Sequence, residues 1–117
     1  MLKRKIAKQN FGDLAMSAVT LAELEFGIEN SVKKTDNRMR LYTALSGLAR
    51  IPFDDECAIA YGKIRADLQA RGAIIGPMDL QIAATAQAKD LILVTNNGRE
   101  FNRVKDLMVE DWTQQTS

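Results

Sequence analysis

Short apolar runs alternate along this chain with longer stretches whose apolar residues recur at helical spacing. Leu14-Ala15-Met16 and Leu91-Ile92-Leu93-Val94-Thr95 are continuous and apolar, the second also β-branched, as strands buried on both faces must be. Behind Ser17 or Thr20, either of which can cap a helix, Leu21, Leu24 and Ile28 line one helical face. A second helical stretch begins at Asp36 and carries Leu41, Leu45 and Leu48. Ile51-Pro52-Phe53 reads as a short strand, which Pro52 confines to a strand start or an edge. Asp54 or Asp55 then caps a long helix that turns Ile59, Ile64 and Leu68 inward and stops at Gly72. Pro77 suits the first turn of a helix reaching about Lys89. A turn at Asn96-Asn97-Gly98 follows, and Leu107-Met108-Val109 reads as a last strand. At the other end, Leu2 and Ile6 lie one helical turn apart in a basic segment. That segment reads as the end of a helix closed by the loop Asn10-Phe11-Gly12-Asp13.

Short apolar strands alternating with helices predict an α/β fold, a parallel sheet sandwiched between helices, over one domain spanning residues 1–117. In such folds sites gather at the carboxyl ends of the strands. Three polar clusters stand there: Ser17 to Leu24, Gly76-Pro77-Met78-Asp79, and Thr95 to Phe101. Each has a structural explanation. Thr20-Leu21-Ala22-Glu23 is a capping-box pattern, Asp79 suits the positive end of a helix, and Asn96-Asn97-Gly98 is turn chemistry.

Composition narrows the chemistry. The absence of histidine removes histidine triads, histidine general bases and most zinc enzymes. The 16 Lys and Arg against 15 Asp and Glu leave a net charge of +1, so any nucleic acid must be held by local patches. Cys57, the single cysteine, sits in an apolar segment and reads as a buried structural thiol in a reducing, cytoplasmic setting. No apolar run is long enough to cross a bilayer, so no membrane association is expected. Two carboxylates about 4 Å apart repel by roughly 4 kcal/mol at an effective dielectric of 20. A fold tolerates that with a cation between them. Oxygen donors without histidine or thiolate suit Mg²⁺ or Mn²⁺, metals of phosphoryl-transfer chemistry.

At these residues the sequence resembles the PIN-domain toxins of bacterial toxin–antitoxin pairs, the VapC-like ribonucleases. The likeness runs through Met16 to Gly27, through Ile64 to Leu68 and Ile75 to Ala84, through Leu93 to Phe101, and ends at Glu110-Asp111-Trp112. It implies a sheet whose rim acids bind Mg²⁺ or Mn²⁺ and cut single-stranded RNA, with transfer RNA as the substrate of close relatives. It also implies a homodimer and an antitoxin partner. Glu23 and Asp79 match metal-binding acids. Asn97 stands where many relatives carry Asp, Glu100 is positioned to substitute for it, and Thr95 and Asn96 match hydrogen-bonding positions. One departure is marked. The family opens with a central strand that supplies its first metal-binding Asp, and nothing here matches it. The resemblance therefore implies a truncated sheet with its centre open, filled by a swapped or foreign segment, and a chain that cuts poorly or not at all.

Two rivals remain. A catalytically dead remnant would bind antitoxin or RNA without cutting; the missing acid favours it and the retention of Glu23 and Asp79 opposes it. A receiver-type signalling domain shares the architecture but needs a phosphoacceptor Asp at a strand end, which neither apolar strand provides.

Overall fold

The computed structural model of the chain describes residues 5–8, 14–95 and 97–111. Its elements are β1 (Lys5–Lys8), β2 (Leu14–Ser17), α1 (Ala18–Glu29), α2 (Lys34–Ala44), β3 (Ala49–Ile51), α3 (Asp55–Ala70), α4 (Pro77–Ala88), β4 (Ile92–Thr95), α5 (Gly98–Phe101) and β5 (Val109–Asp111). The strands form one sheet in the order β3-β2-β1-β4-β5. β2 runs parallel to β3 and β4 parallel to β5, while β1 lies antiparallel between β2 and β4. The four strands other than β1 thus share a direction and end on one rim, at Ile51, Ser17, Thr95 and Asp111.

β1 corrects two expectations. Residues 5–8 are strand, not the end of a helix, and the chain's own segment takes the central position expected to stand open. The physical reason is backbone pairing. β2 and β4 each turn a row of N–H and C=O groups toward the centre, and a buried group left unpaired costs roughly 1–3 kcal/mol. Residue 6 pairs with Met16 on one side and Val94 on the other, so both rows are met at once. A helical turn over the same residues could pair with neither. The loop expected at 10–13 lies outside the described residues.

Ser17 ends β2 and caps α1, its hydroxyl accepting the Thr20 N–H at 3.0 Å. Asp54 caps α3, accepting the Cys57 N–H at 3.1 Å, and Gly72 closes the same helix with a φ of +67°. α2 starts at Lys34, with Asp36 inside its first turn. β3 stops before Pro52 instead of running through it, because Pro52 has no N–H for a ladder. Ile59, expected inward, is 61% exposed. It lies two residues, about 200° around the helix, from the buried Cys57, whereas Ile64 and Leu68 share the Cys57 face. The last strand begins only at Val109, and Met108 is exposed.

Two cores flank the sheet. Leu93, Val19, Ile64, Leu68 and residues of α4 pack together on one side, with Phe101 and Val104. Met16, Ile28, Leu41 and Leu45 form the second, between β2, α1 and α2. Met16 and Val94 both register with residue 6 and share a face; Leu93 lies on the other. Among the described residues no helix is long and apolar enough to cross a membrane.

If β1 holds the centre, Ile6→Pro removes a ladder donor and leaves its acceptor unpaired, costing about 1–3 kcal/mol. Chemical denaturation should show a lower midpoint. An unchanged midpoint would remove β1 from the sheet.

Candidate active site

The rim gathers side chains from two helix starts. Pro77 opens α4 behind Gly76, which places Asp79 in the third helical position. There a carboxylate gains from the exposed N–H groups and the helix dipole. One side-chain oxygen of Asp79, Oδ1, is buried. The second start is α5, a single turn that takes up Gly98, where a turn was expected, and is anchored by the wholly buried Phe101.

α5 brings Glu100 against Asp79, its carboxyl within hydrogen-bonding reach of the Asp79 carboxyl. The contact with Asp79 accordingly pushes the Glu100 carboxyl above its ordinary value, and partial burial and the Asp79 charge push the same way. The backbone N–H of Gly76 donates to Glu100, and the nearby Arg103 charge also favours its ionised form. Asn97 Nδ2 donates to Glu100 Oε1 at 3.1 Å. Thr95 is wholly buried, and its hydroxyl accepts the Asn97 N–H at 3.0 Å.

The structure thus joins four of the residues singled out from sequence: Asp79, Glu100, Asn97 and Thr95. Asn96 lies outside the described residues. Glu23 sits half-buried on α1, beside the groove that α1 makes with α2, and α1 itself packs on α4. The capping-box explanation for Glu23 fails. Ser17 is the cap and Thr20 takes the third helical position, which leaves Glu23 one turn further on. Glu25 points elsewhere, accepting from Arg38 Nη2 at 2.8 Å and Tyr42 Oη at 2.6 Å. Among the described residues no three acids, or acids with Cys57, stand close enough together to hold a metal ion.

Sequence reasoning missed three contributors. The Gly76 N–H is a backbone group and leaves no trace in residue type. Arg103 donates to the Ile74 carbonyl at 3.1 Å and so ties α5 to the loop that leads into α4. Asp111 accepts the Gly98 N–H at 2.7 Å. Its sequence signal is its place in the closing Glu110-Asp111-Trp112 of the likeness, to which no site role was attached.

Residues 2–107 match the PIN domain family model. Ribonuclease VapC2 of Rickettsia felis is 43% identical over 107 residues, covering 92% of this chain and 78% of that protein. The tRNA(fMet)-specific endonuclease VapC of Salmonella typhimurium is 38% identical over 103 residues, 88% of this chain and 78% of its own. A crystal structure of VapBC2 from Rickettsia felis, bound to a DNA fragment from their promoter, superposes with a TM-score of 0.81 at 44% identity, over 84% of this chain and 74% of that one. The α/β sheet, the rim acids and these likenesses agree: the chain belongs to the PIN-domain family, among its VapC toxins.

Proposed function

We propose that this chain is a divalent-metal-dependent endoribonuclease of a toxin–antitoxin pair, and that it cleaves single-stranded regions of RNA, with transfer RNA the leading substrate. The observation that carries the reading is the Asp79–Glu100 contact at the rim. Two carboxyl groups brought into contact are a place where a cation can lie between them. The donors fit a hard ion: two carboxyl groups and the Asn97 carboxamide offer only oxygen, and Mg²⁺ is commonly held by one or two carboxylates with several of its waters retained. A cation bound there activates water and stabilises the oxygens of phosphoryl transfer. The chain's own part is placement. Gly76 N–H and Asn97 fix the Glu100 carboxyl, the α4 start holds Asp79, and Arg103 puts positive charge beside them for a phosphate. The substrate class follows the Salmonella relative, a tRNA(fMet)-specific endonuclease by name.

A second reading keeps the partner and drops the cutting. It is favoured by the lack of a three-acid cluster among the described residues. The two readings separate on Asp79. With Mg²⁺ or Mn²⁺, Asp79→Asn should slow cleavage of a single-stranded RNA at least about 100-fold, Glu25→Gln should leave it unchanged, and EDTA should stop it. Cleavage by Asp79→Asn at the wild-type rate would exclude the rim pair as the site. No cleavage by the wild-type chain at all would establish the binding-only reading.

The partners we propose are an antitoxin, as in the VapBC2 neighbour, and a second copy of this chain. Physical support comes from α1 and α2, where Phe26 is 69% and Met39 65% exposed, more apolar surface than a solvated helix pair keeps. Sedimentation of the purified chain should show self-association that Phe26→Ser with Met39→Ser weakens. A monomer at every concentration contradicts the second-copy assignment.

A further inference from the structure

β5 and α5 meet where the Asp111 side-chain carboxylate accepts the Gly98 backbone N–H. α5 starts at Gly98 behind Asn97, the residue type and place from which a side chain ordinarily caps a helix. Asn97 makes no such cap. Its carboxamide is turned to Glu100 instead, at 3.1 Å. Asp111, at the end of β5, accepts the Gly98 N–H through Oδ2 at 2.7 Å. The contact is close on every side. A Cβ placed on Gly98 would stand 2.5 Å from Asp111 Oδ2 and 2.8 Å from Asp111 Cβ, so no other residue fits at 98 with Asp111 where it is. Asp111 is directly opposite Thr95 in the β4–β5 register, and Thr95 accepts the N–H of Asn97. The paired ends of two strands therefore hold two consecutive amides of the same loop.

We infer that Asp111 is a positioning residue of the active site: by holding the Gly98 N–H it fixes the start of α5 and so holds Glu100 against Asp79. The inference rests on the nuclease reading of the rim for its effect on rate, and on the Gly98 contact alone for its effect on structure. A charge-assisted bond from a carboxylate to a backbone N–H is stronger than a neutral one, and it fixes the first amide of a helix only one turn long. Nothing within that turn could replace it.

The test compares Asp111→Ala with Asp111→Asn in the full chain. The amide of Asn retains an oxygen that can accept from Gly98, whereas Ala retains none. Three quantities are read: kcat and KM for Mn²⁺-dependent cleavage of a single-stranded RNA, the amide resonances of residues 97–100, and the thermal midpoint. Asp111→Ala should lower kcat by about 10- to 100-fold, leave KM within about twofold, since no substrate contact is lost, and displace the amide resonances of Gly98 and Glu100. Asp111→Asn should restore most of the rate and return the resonances toward wild type. If Asp111→Asn is as slow as Asp111→Ala, an acceptor kept at 111 does not restore the loop and the positioning role is wrong. If Asp111→Ala cuts at the wild-type rate, the inference is likewise overturned. Should Asp111→Ala not fold, Asp111→Asn decides: a rate within about threefold of wild type, with its Gly98 resonance in place, supports the inference, and a larger loss overturns it. Should the wild-type chain not cut RNA, the nuclease reading fails by itself, and the resonances still decide whether Asp111 orders the loop.

Discussion

The contact between Asp79 and Glu100 is the constraint around which the rim is built. Two acids brought to hydrogen-bond distance repel unless a proton or a cation lies between them, and roughly 4 kcal/mol is at stake for bare charges about 4 Å apart at a surface dielectric. The chain meets that cost with ordinary parts. A helix start carries Asp79, a backbone N–H from Gly76 and the Asn97 amide steady Glu100, and Arg103 adds charge while tying the two loops together. None of these groups belongs to the core. They are positioned because Phe101 is buried beneath α5 and because β4 and β5 end side by side.

The sheet supplies that side-by-side ending. Four strands point to one rim only if the gap between β2 and β4 is bridged, and β1 bridges it by running the opposite way. Its antiparallel direction follows from chain economy. A few residues lead from β1 back to β2, enough for an antiparallel return and too few for the crossover a parallel neighbour needs. Residue 5 thereby comes to stand opposite Thr95, at the rim itself.

What could be read from the sequence was what depends on near neighbours. Leu91–Thr95 is apolar because it is buried on both faces; Ser17, Asp54, Gly72 and Pro77 mark helix ends by local hydrogen bonding and backbone preference, and all four do so in the structure. Asp79 could be placed in a helix's first turn for the same reason. Lys5–Lys8 could not be read as strand, since its pairing partners lie about ten and ninety residues away and its own spacing suggests a helix. Nor could α5 or its cap. Asn97-Gly98 has the composition of a turn, and the Asp111 carboxylate that makes it a helix start arrives from another strand. Ile59 misled because apolar character alone does not fix which side of a helix faces inward.

Metal binding measured together with proton release tests the account most directly. Contact with Asp79 raises Glu100, so Glu100 keeps its proton to higher pH in the folded chain than an isolated carboxyl would. Stability from the raised Glu100 is therefore present at low pH and is lost as pH rises through the raised value, unless a cation replaces the proton. Calorimetric titration with Mn²⁺, repeated in buffers of different ionisation enthalpy, counts the protons displaced. In mildly acidic buffer the wild-type chain should release a proton on binding, the release should fade as pH rises, and Asp79→Asn should lose both the binding and the release. Binding with no proton release at any pH, or equal release by Asp79→Asn, would contradict the Asp79–Glu100 pair as the metal site.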